Sequence, residues 1–435
     1  MKQSIFNNII PLQSGRHVIY NALTQKFIAC MTPEMLDNGT LSLEKLAGYP
    51  DFLKQLREIG ALVDKDFDEV DNLRRIIESV DNDMSMWQLH INPTLDCNFK
   101  CWYCYENHVR GSKMSPQTVE AVMRLIDRTL AEQKDTLKRF ILSFFGGEPM
   151  IGFKKTALPL IEYAASKSKE AGIDFSTHFT TNAFLITDEI IDALKGYSVS
   201  FQITLDGGKE LHDKTRTPAD GSGSYTRILD NVRRLVSQGM YVVLRINYTS
   251  ENIASVASVI DDLSGFDRQL LKHINVDFQR VWQDRKLIQE ADVTELTEQY
   301  AMRLRELGIG GCSVYPHHAY VYTPCYGDRR NYQLINFDGG VYHCTARDFN
   351  DDNRHGTLQP DGSIEWKGDI VERRMALKFW RNACHTCRIA PLCGGGCRQQ
   401  AADHSDHDGC IYSYTEEEKD AIVIDRFFSL IYTPE

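Results

Sequence analysis

The feature that most limits what this chain can fold into is the run Cys97-Asn98-Phe99-Lys100-Cys101-Trp102-Tyr103-Cys104. It is a C-x3-C-x2-C spacing placed straight after the strand-like stretch 86–92. Three thiols this close on one loop read as a ligand set rather than as core residues. The sequence holds twelve cysteines, unevenly placed: three in this run, eight from Cys312 to Cys410, and Cys30 alone. The first residues, Met1-Lys2-Gln3-Ser4, lack the apolar core of a signal peptide, so a reducing cytoplasmic setting is expected, where structural disulfides are rare. Cys30, beside an apolar strand, reads as a small buried hydrophobe. Three thiolates can hold three irons of a [4Fe–4S] cluster and leave the fourth iron open to a small molecule. A zinc site is the alternative. Zinc sites usually close with a fourth protein ligand, and the first histidine downstream is His108.

The 435 residues exceed one compact domain, and the patterning suggests three parts. Residues 1–85 read as a small α+β unit. A hairpin is expected from Arg16 to Ile28, then a helical face of Phe52, Leu53, Leu56 and Ile59 with Gly60 at the cap, then a short strand Ala61-Leu62-Val63. Strand pair, helix and strand suggest a winged-helix-like fold. Residues 86–308 alternate strands and helices, with strands expected at 86–92, 139–145, 175–180, 199–205, 241–248 and 273–281. The clearest helix has Ser115 as N-cap, Pro116 at its first position, and Val119, Val122, Met123, Ile126 and Leu130 on one face. Such repeats imply a parallel sheet. Six units are too few to close an eight-stranded barrel, so an α/β fold with an open, partial (β/α)6 TIM-like barrel is expected. Residues 309–435 have short strands, many glycines and most of the cysteines. With few apolar runs of their own, they are expected to depend on bound clusters for stability.

The cysteine run resembles that of the radical S-adenosylmethionine (SAM) superfamily, and the resemblance extends over about 350 residues. It implies that the open iron binds the amino and carboxylate groups of SAM, that reduction yields a 5′-deoxyadenosyl radical, and that the radical takes a substrate hydrogen. Tyr103, inside the motif, resembles the aromatic that lies against the adenine. Gly146-Gly147-Glu148-Pro149, at the end of the second strand, resembles the family's GGEP motif, in which Glu148 would grip the SAM ammonium. Thr180-Thr181-Asn182-Ala183 resembles TTNG with Ala183 in the glycine position. Gln202-Ile203-Thr204-Leu205-Asp206-Gly207 with His212 and Arg216 resembles "SLDG…H…R", with Thr204 in the serine position. Arg245-Ile246-Asn247 ends strand five. These imply Asn182, Thr204, Arg216 and Arg245 as further cofactor contacts; taken singly, each also reads as an ordinary satisfied polar residue.

The C-terminal cysteines resemble the SPASM extension of this superfamily, with Cys384-x2-Cys387-x5-Cys393-x3-Cys397, then Cys410, and upstream Cys325 and Cys344. The resemblance implies two auxiliary [4Fe–4S] clusters, three in all. Cys325, Cys344 and Cys397 would bind the first, with Cys312 a candidate fourth ligand, and Cys384, Cys387, Cys393 and Cys410 the second. A pair of zinc ribbons is the alternative. SPASM enzymes mostly modify peptides and proteins, and residues 1–85 resemble the leader-peptide recognition domains of peptide maturases. The expected function is therefore a peptide maturase forming a thioether or carbon–carbon cross-link. Its partners would be a precursor peptide and a flavodoxin- or ferredoxin-type electron donor. The first alternative is an anaerobic sulfatase maturase, whose usual Asp directly after the second SPASM cysteine is absent from Cys344-Thr345-Ala346-Arg347-Asp348. Asp348 and His343 are candidate proton acceptors. A second alternative, a non-catalytic electron carrier, would need neither an open iron nor GGEP. A DNA-binding winged helix is disfavoured by nine Lys/Arg against eleven Asp/Glu in residues 1–80, and the net charge of −11 disfavours nucleic acid generally. No run of about 18 apolar residues suggests a membrane span.

Overall fold

The computed structural model describes residues 1–12, 14–31, 33–37, 40–284, 290–314, 325–379, 381–404 and 408–431. The side chain of Cys30 lies outside the described residues, and so does the expectation made for it. The chain forms two compact units. One joins residues 1–82, 315–329 and 372–432; the other holds 83–314, 330–371 and 433–435. The three-part division is one along the sequence; in space the segment 309–435 is shared between the two units. None of the described helices is long and apolar enough to cross a membrane.

The larger unit is built on one sheet of eleven strands. The first six are β1 (Met86–Ile91), β2 (Arg139–Phe144), β3 (Asp174–Thr181), β4 (Val199–Leu205), β5 (Tyr241–Tyr248) and β6 (Ile274–Arg280). All six lie parallel, in sequence order, within about two residues of the expected bounds. Two parallel strands were not foreseen: β7 (Gly311–Ser313) beside β6, and β8 (Tyr332–Ile335) beside β1. From β8 the sheet continues antiparallel through β9 (Gly340–Tyr342), β10 (Gly356–Leu358) and β11 (Ile364–Trp366). The result is α/β with a large, mostly parallel sheet.

The strands are two-faced. In β4, Val199, Phe201, Ile203 and Leu205 are buried while Ser200, Gln202 and Thr204 are only half-buried. The buried face carries an aromatic ladder across neighbouring strands. Trp87 stacks on Phe140 at 4.4 Å, Phe144 on Phe179 at 4.8 Å, and Phe179 on Phe201 at 5.6 Å. Such cross-strand pairs pin register, because a one-residue slip would turn every ring to the polar face. The crossover helix Pro116–Glu132 starts as expected: the Ser115 hydroxyl accepts from the Thr118 amide at 3.1 Å, and Val119, Val122, Leu125, Ile126 and Leu130 are buried.

The smaller unit begins with three antiparallel strands, Asn7–Pro11, His17–Asn21 and Lys26–Met31. The last two are the expected hairpin. Helices Pro50–Glu58 and Glu69–Asp81 follow. The second of these was hidden by its acidic start, although Asp68 caps it by accepting from the Asp71 amide. The expectation that the C-terminal segment depends on clusters for stability needs correction. Phe379, Ile389, Leu392, Ile422, Val423 and Phe427 share one core with Phe6, Val18, Tyr20, Leu73 and Ile77. The two ends of the chain supply each other's apolar surface.

Candidate functional site

The loop after β1 is pinned before any ligand arrives. The Asp96 carboxylate accepts from the amides of Cys97 and Gly111, and the Ser112 hydroxyl accepts from the Leu95 amide. Phe99 is buried and packs edge-on against Phe184. The loop from β2 then approaches so closely that glycine is required. A Cβ on Gly146 would lie 2.4 Å from the Thr94 carbonyl oxygen, and one on Gly147 2.3 Å from that of Asp96. This cradle holds the two loops together at the C-terminal ends of the strands, where sites form in α/β barrels.

Between them lies a cleft lined by Cys97, Cys101, Cys104, Tyr103, Gly146, Gly147, Glu148, Asn182, Thr204, Arg216 and Arg245 among others. Its cavity volume is about 150 Å³, and it opens to solvent at its mouth. Every cofactor contact expected from the sequence is therefore in this wall. Burial, and then the neighbouring Glu148 charge, pushes the Cys97 thiol up to about 12; burial pushes Cys104 up to about 11 and raises Cys101. These are neutral thiols until metal displaces their protons. Cys97 also feels Cys101 and Cys104, and its sulfur already accepts from the Phe99 amide at 3.4 Å. The donor set fits a [4Fe–4S] cluster held at three corners. Among the described residues no three His, Cys, Asp or Glu side chains gather round a single-ion position. A cubane, meeting its thiolates at separate corners, asks for no such convergence.

Glu148 is 1% exposed and rigidly held. Its carboxylate accepts from the Met150 amide at 3.0 Å, the Thr181 hydroxyl at 2.7 Å and the Asn182 amide at 2.8 Å. Three bonds leave one lone-pair site for a ligand donor. Asn182 in turn donates to Asn98 of the cysteine loop at 2.8 Å. Ala183 takes φ +59°, so it adopts the left-handed turn of the glycine it stands for, at a cost of roughly 1–2 kcal/mol.

Tyr103 is the hub of the wall. Its hydroxyl donates to Asp206 at 2.6 Å and accepts from Arg216 at 2.8 Å and Asn247 at 3.1 Å, which uses its whole capacity. Asn247 accepts from Arg245 at 2.8 Å. His212 sits beneath: its Nδ1 accepts from the Asp206 amide, so Nε2 carries the proton and donates to Ser224. Burial pushes the Asp206 carboxyl up to about 6, against the pull of Arg216. A carboxyl raised in the folded state gives stability that is full below its ordinary value, 3.8, and is lost as pH rises through about 6. Asp206→Asn is thus expected to lose most stability, relative to wild type, at about pH 4. That penalty should shrink by about 2 kcal/mol between pH 4 and pH 6.5, as denaturant titrations at the two pH values would measure.

The candidate proton acceptors are placed differently. His343 lies outside the cleft lining, buried with its Nδ1 2.7 Å from that of His355, between Tyr332 and Trp366. Asp348 is exposed, and its charge acts on Glu106, a cleft residue. Cys312, the candidate extra ligand, is buried on β7 opposite Val276, and Cys344 is half-buried in the same unit. In the smaller unit the Cys393 thiol is raised by burial and then by Cys384, Cys387 and Cys410, so these four are near neighbours. They are brought round by Gly394, Gly395 and Gly396, all at positive φ; a Cβ on Gly395 would lie 2.9 Å from the Phe379 ring. Cys397 has Asp328 and Arg374 as charged neighbours, and Cys325 is exposed three residues before Asp328.

Residues 91–263 match the Radical SAM superfamily. Two curated proteins are similar to part of this chain. The chain is 24% identical over 210 residues to the "Radical SAM cyclopropyl synthase TigE" of Paramaledivibacter caminithermalis, covering 44% of this chain and 42% of that one. It is 24% identical over 151 residues to the "Serine-type anaerobic sulfatase-maturating enzyme" of Bacteroides thetaiotaomicron, covering 33% and 35%. The match thus spans less than half the length of either relative. Among solved structures, Streptococcus suis SuiB bound to precursor peptide SuiA has the same fold, with a TM-score of 0.54 at 14% identity over 95% of this chain and 100% of that one.

Proposed function

Because residues 91–263 match the Radical SAM superfamily, we propose that this chain is a radical SAM peptide maturase that cross-links residues of a precursor peptide. When bound, the cluster and SAM supply a 5′-deoxyadenosyl radical that abstracts a substrate hydrogen. The chain's own part is positioning. Cys97, Cys101 and Cys104 hold the cluster, Glu148 takes the SAM ammonium on its free lone pair, and Asn182, Thr204, Arg216 and Arg245 line the remaining contacts. Tyr103 keeps the wall rigid, so the radical is formed against a preorganised surface.

The observation that carries the reading is the convergence of the three thiols and Glu148 in one cleft. Choice of a peptide as substrate is supported by the SuiB likeness, which extends over residues outside the barrel. The hairpin and helices of residues 1–82 would then be a winged-helix-like leader-recognition domain taking the leader as an added strand. The segment with seven cysteines would be a SPASM domain with two auxiliary clusters, and a small flavodoxin- or ferredoxin-type protein would deliver electrons. Formylglycine formation on a sulfatase is the second reading, favoured by the relative from Bacteroides thetaiotaomicron.

The test is anaerobic reconstitution followed by iron and sulfide analysis, then addition of SAM and dithionite. About twelve irons per chain with 5′-deoxyadenosine formed is the expected outcome, four for each cluster. Zinc in place of iron, or intact SAM, would remove the radical mechanism.

A further inference from the structure

Glu106, two residues beyond Cys104, carries no motif, yet it is among the most unusual groups in the cleft. Its carboxyl is buried in the wall, and neither oxygen has a hydrogen-bond partner among the described residues. Burial first, and then the charge of Asp348, a second acid, hold it toward its protonated form. Arg245, a cation of the cleft wall, is felt by Tyr105 and has its Nε committed to Asn247. Directly before Glu106, the Tyr105 ring stacks on Trp282 with centroids 5.4 Å apart and planes within 5°. Both rings line the cleft, and Trp282 is 60% exposed at its mouth. A buried carboxyl without a donor is rare in a folded protein, and where one occurs it awaits a partner. Aromatic faces attract cations as well. This end of the cleft therefore offers an acid pair and a stacked ring pair, with no cation among the described residues bonded to the buried carboxyl.

We propose that Glu106, with Tyr105 and Trp282, forms a subsite for a cationic side chain of the substrate, a primary ammonium such as that of lysine, held beside the SAM pocket. The acid accepts the ammonium protons, the rings flank its methylene stem, and Asp348 adds attraction from the rim. That the ligand belongs to a peptide rests on the maturase reading; the preference for positive charge does not.

The test uses the full chain, reconstituted anaerobically, and two small probes of equal shape: N-acetyl-lysine N-methylamide and its uncharged 2-aminoheptanoic acid counterpart, in which a methyl replaces the ammonium. Equilibrium dialysis is expected to show the lysine probe bound at least roughly ten-fold more tightly, the scale of a hydrogen bond to a charged group. Glu106→Gln should bring the ratio close to one, and Trp282→Ala should weaken the lysine probe by about two- to five-fold. Equal binding of both probes to the wild-type chain would overturn the proposal, whatever the variants do. Retention of the preference in Glu106→Gln would overturn it too. If that variant instead loses SAM affinity with the probe ratio unchanged, the carboxyl serves the cofactor and the subsite is refuted. SAM cleavage, measured in parallel without probes, reports separately on the maturase reading, so failure of one is distinguishable from failure of the other.

Discussion

Cys97→Ala is expected to abolish formation of 5′-deoxyadenosine from SAM, with four irons lost per chain. Of the three thiols in the run, Cys97 has most against its ionisation: burial acts first, Glu148 next, then Cys101 and Cys104. A metal-bound thiolate overcomes all three, so this position contributes strongly only while the cluster is present. Without it, two sulfurs remain to hold four irons. The loss should exceed the roughly 10–100-fold in metal affinity that outer-shell changes cost. Iron analysis and a single-turnover SAM assay decide the matter. Undiminished 5′-deoxyadenosine from this variant would end the radical SAM reading of the cleft.

The second large effect is expected far from the cleft, in the smaller unit. There Asp81, on helix Glu69–Asp81, is fully buried with Arg398 at 2.7 Å and Lys378 at 3.3 Å, and Lys378 also meets Asp328 at 3.1 Å. Arg398 further donates to the carbonyls of Asp328 and Met375. Burial raises Asp81 in spite of its two cations, so this network is no large net stabiliser as a whole. Breaking it is another matter. Arg398→Met leaves Lys378 to answer two buried carboxylates, and a loss of about 3–5 kcal/mol follows, read as a Tm lower by about 10 °C. Adding Asp81→Leu should recover part of that loss, because an apolar pair replaces an ionic one at little cost. A Tm unchanged in Arg398→Met would show the charges to be spectators.

Six barrel strands were legible because each has buried β-branched or aromatic residues bounded by turn signals. The two missed parallel strands, Gly311–Ser313 and Tyr332–Ile335, are three and four residues long, too short for periodicity to register. The cleft was legible where spacing alone brings groups together, as with Cys97, Cys101 and Cys104. Glu148 was legible as an acid near the ligand, but its three donors were not, since they come from two loops. Asp206 and Asn247 stand within motifs, but nothing local marks their bonds to Tyr103, and Glu106 carries no local pattern; they matter because three strand ends converge on Tyr103 and Tyr105. His343 shows the converse. A histidine next to a candidate ligand looks reactive in sequence, yet its imidazole is spent on His355 and an aromatic box.

The shared core of the smaller unit sets a timetable for synthesis. Phe6, Tyr20 and Ile77 leave the ribosome well before Phe379, Ile422 and Phe427. Roughly 290 residues separate the two segments, which at 5–20 residues per second is about 15–60 s of translation. During that interval the nascent N-terminal sheet has an uncovered apolar face, while the strand–helix repeats after it can already collapse. Completion of the smaller unit, with Cys384, Cys387, Cys393 and Cys410 brought together, waits for that second segment. Any metal these four thiols hold could be delivered only after it has been made.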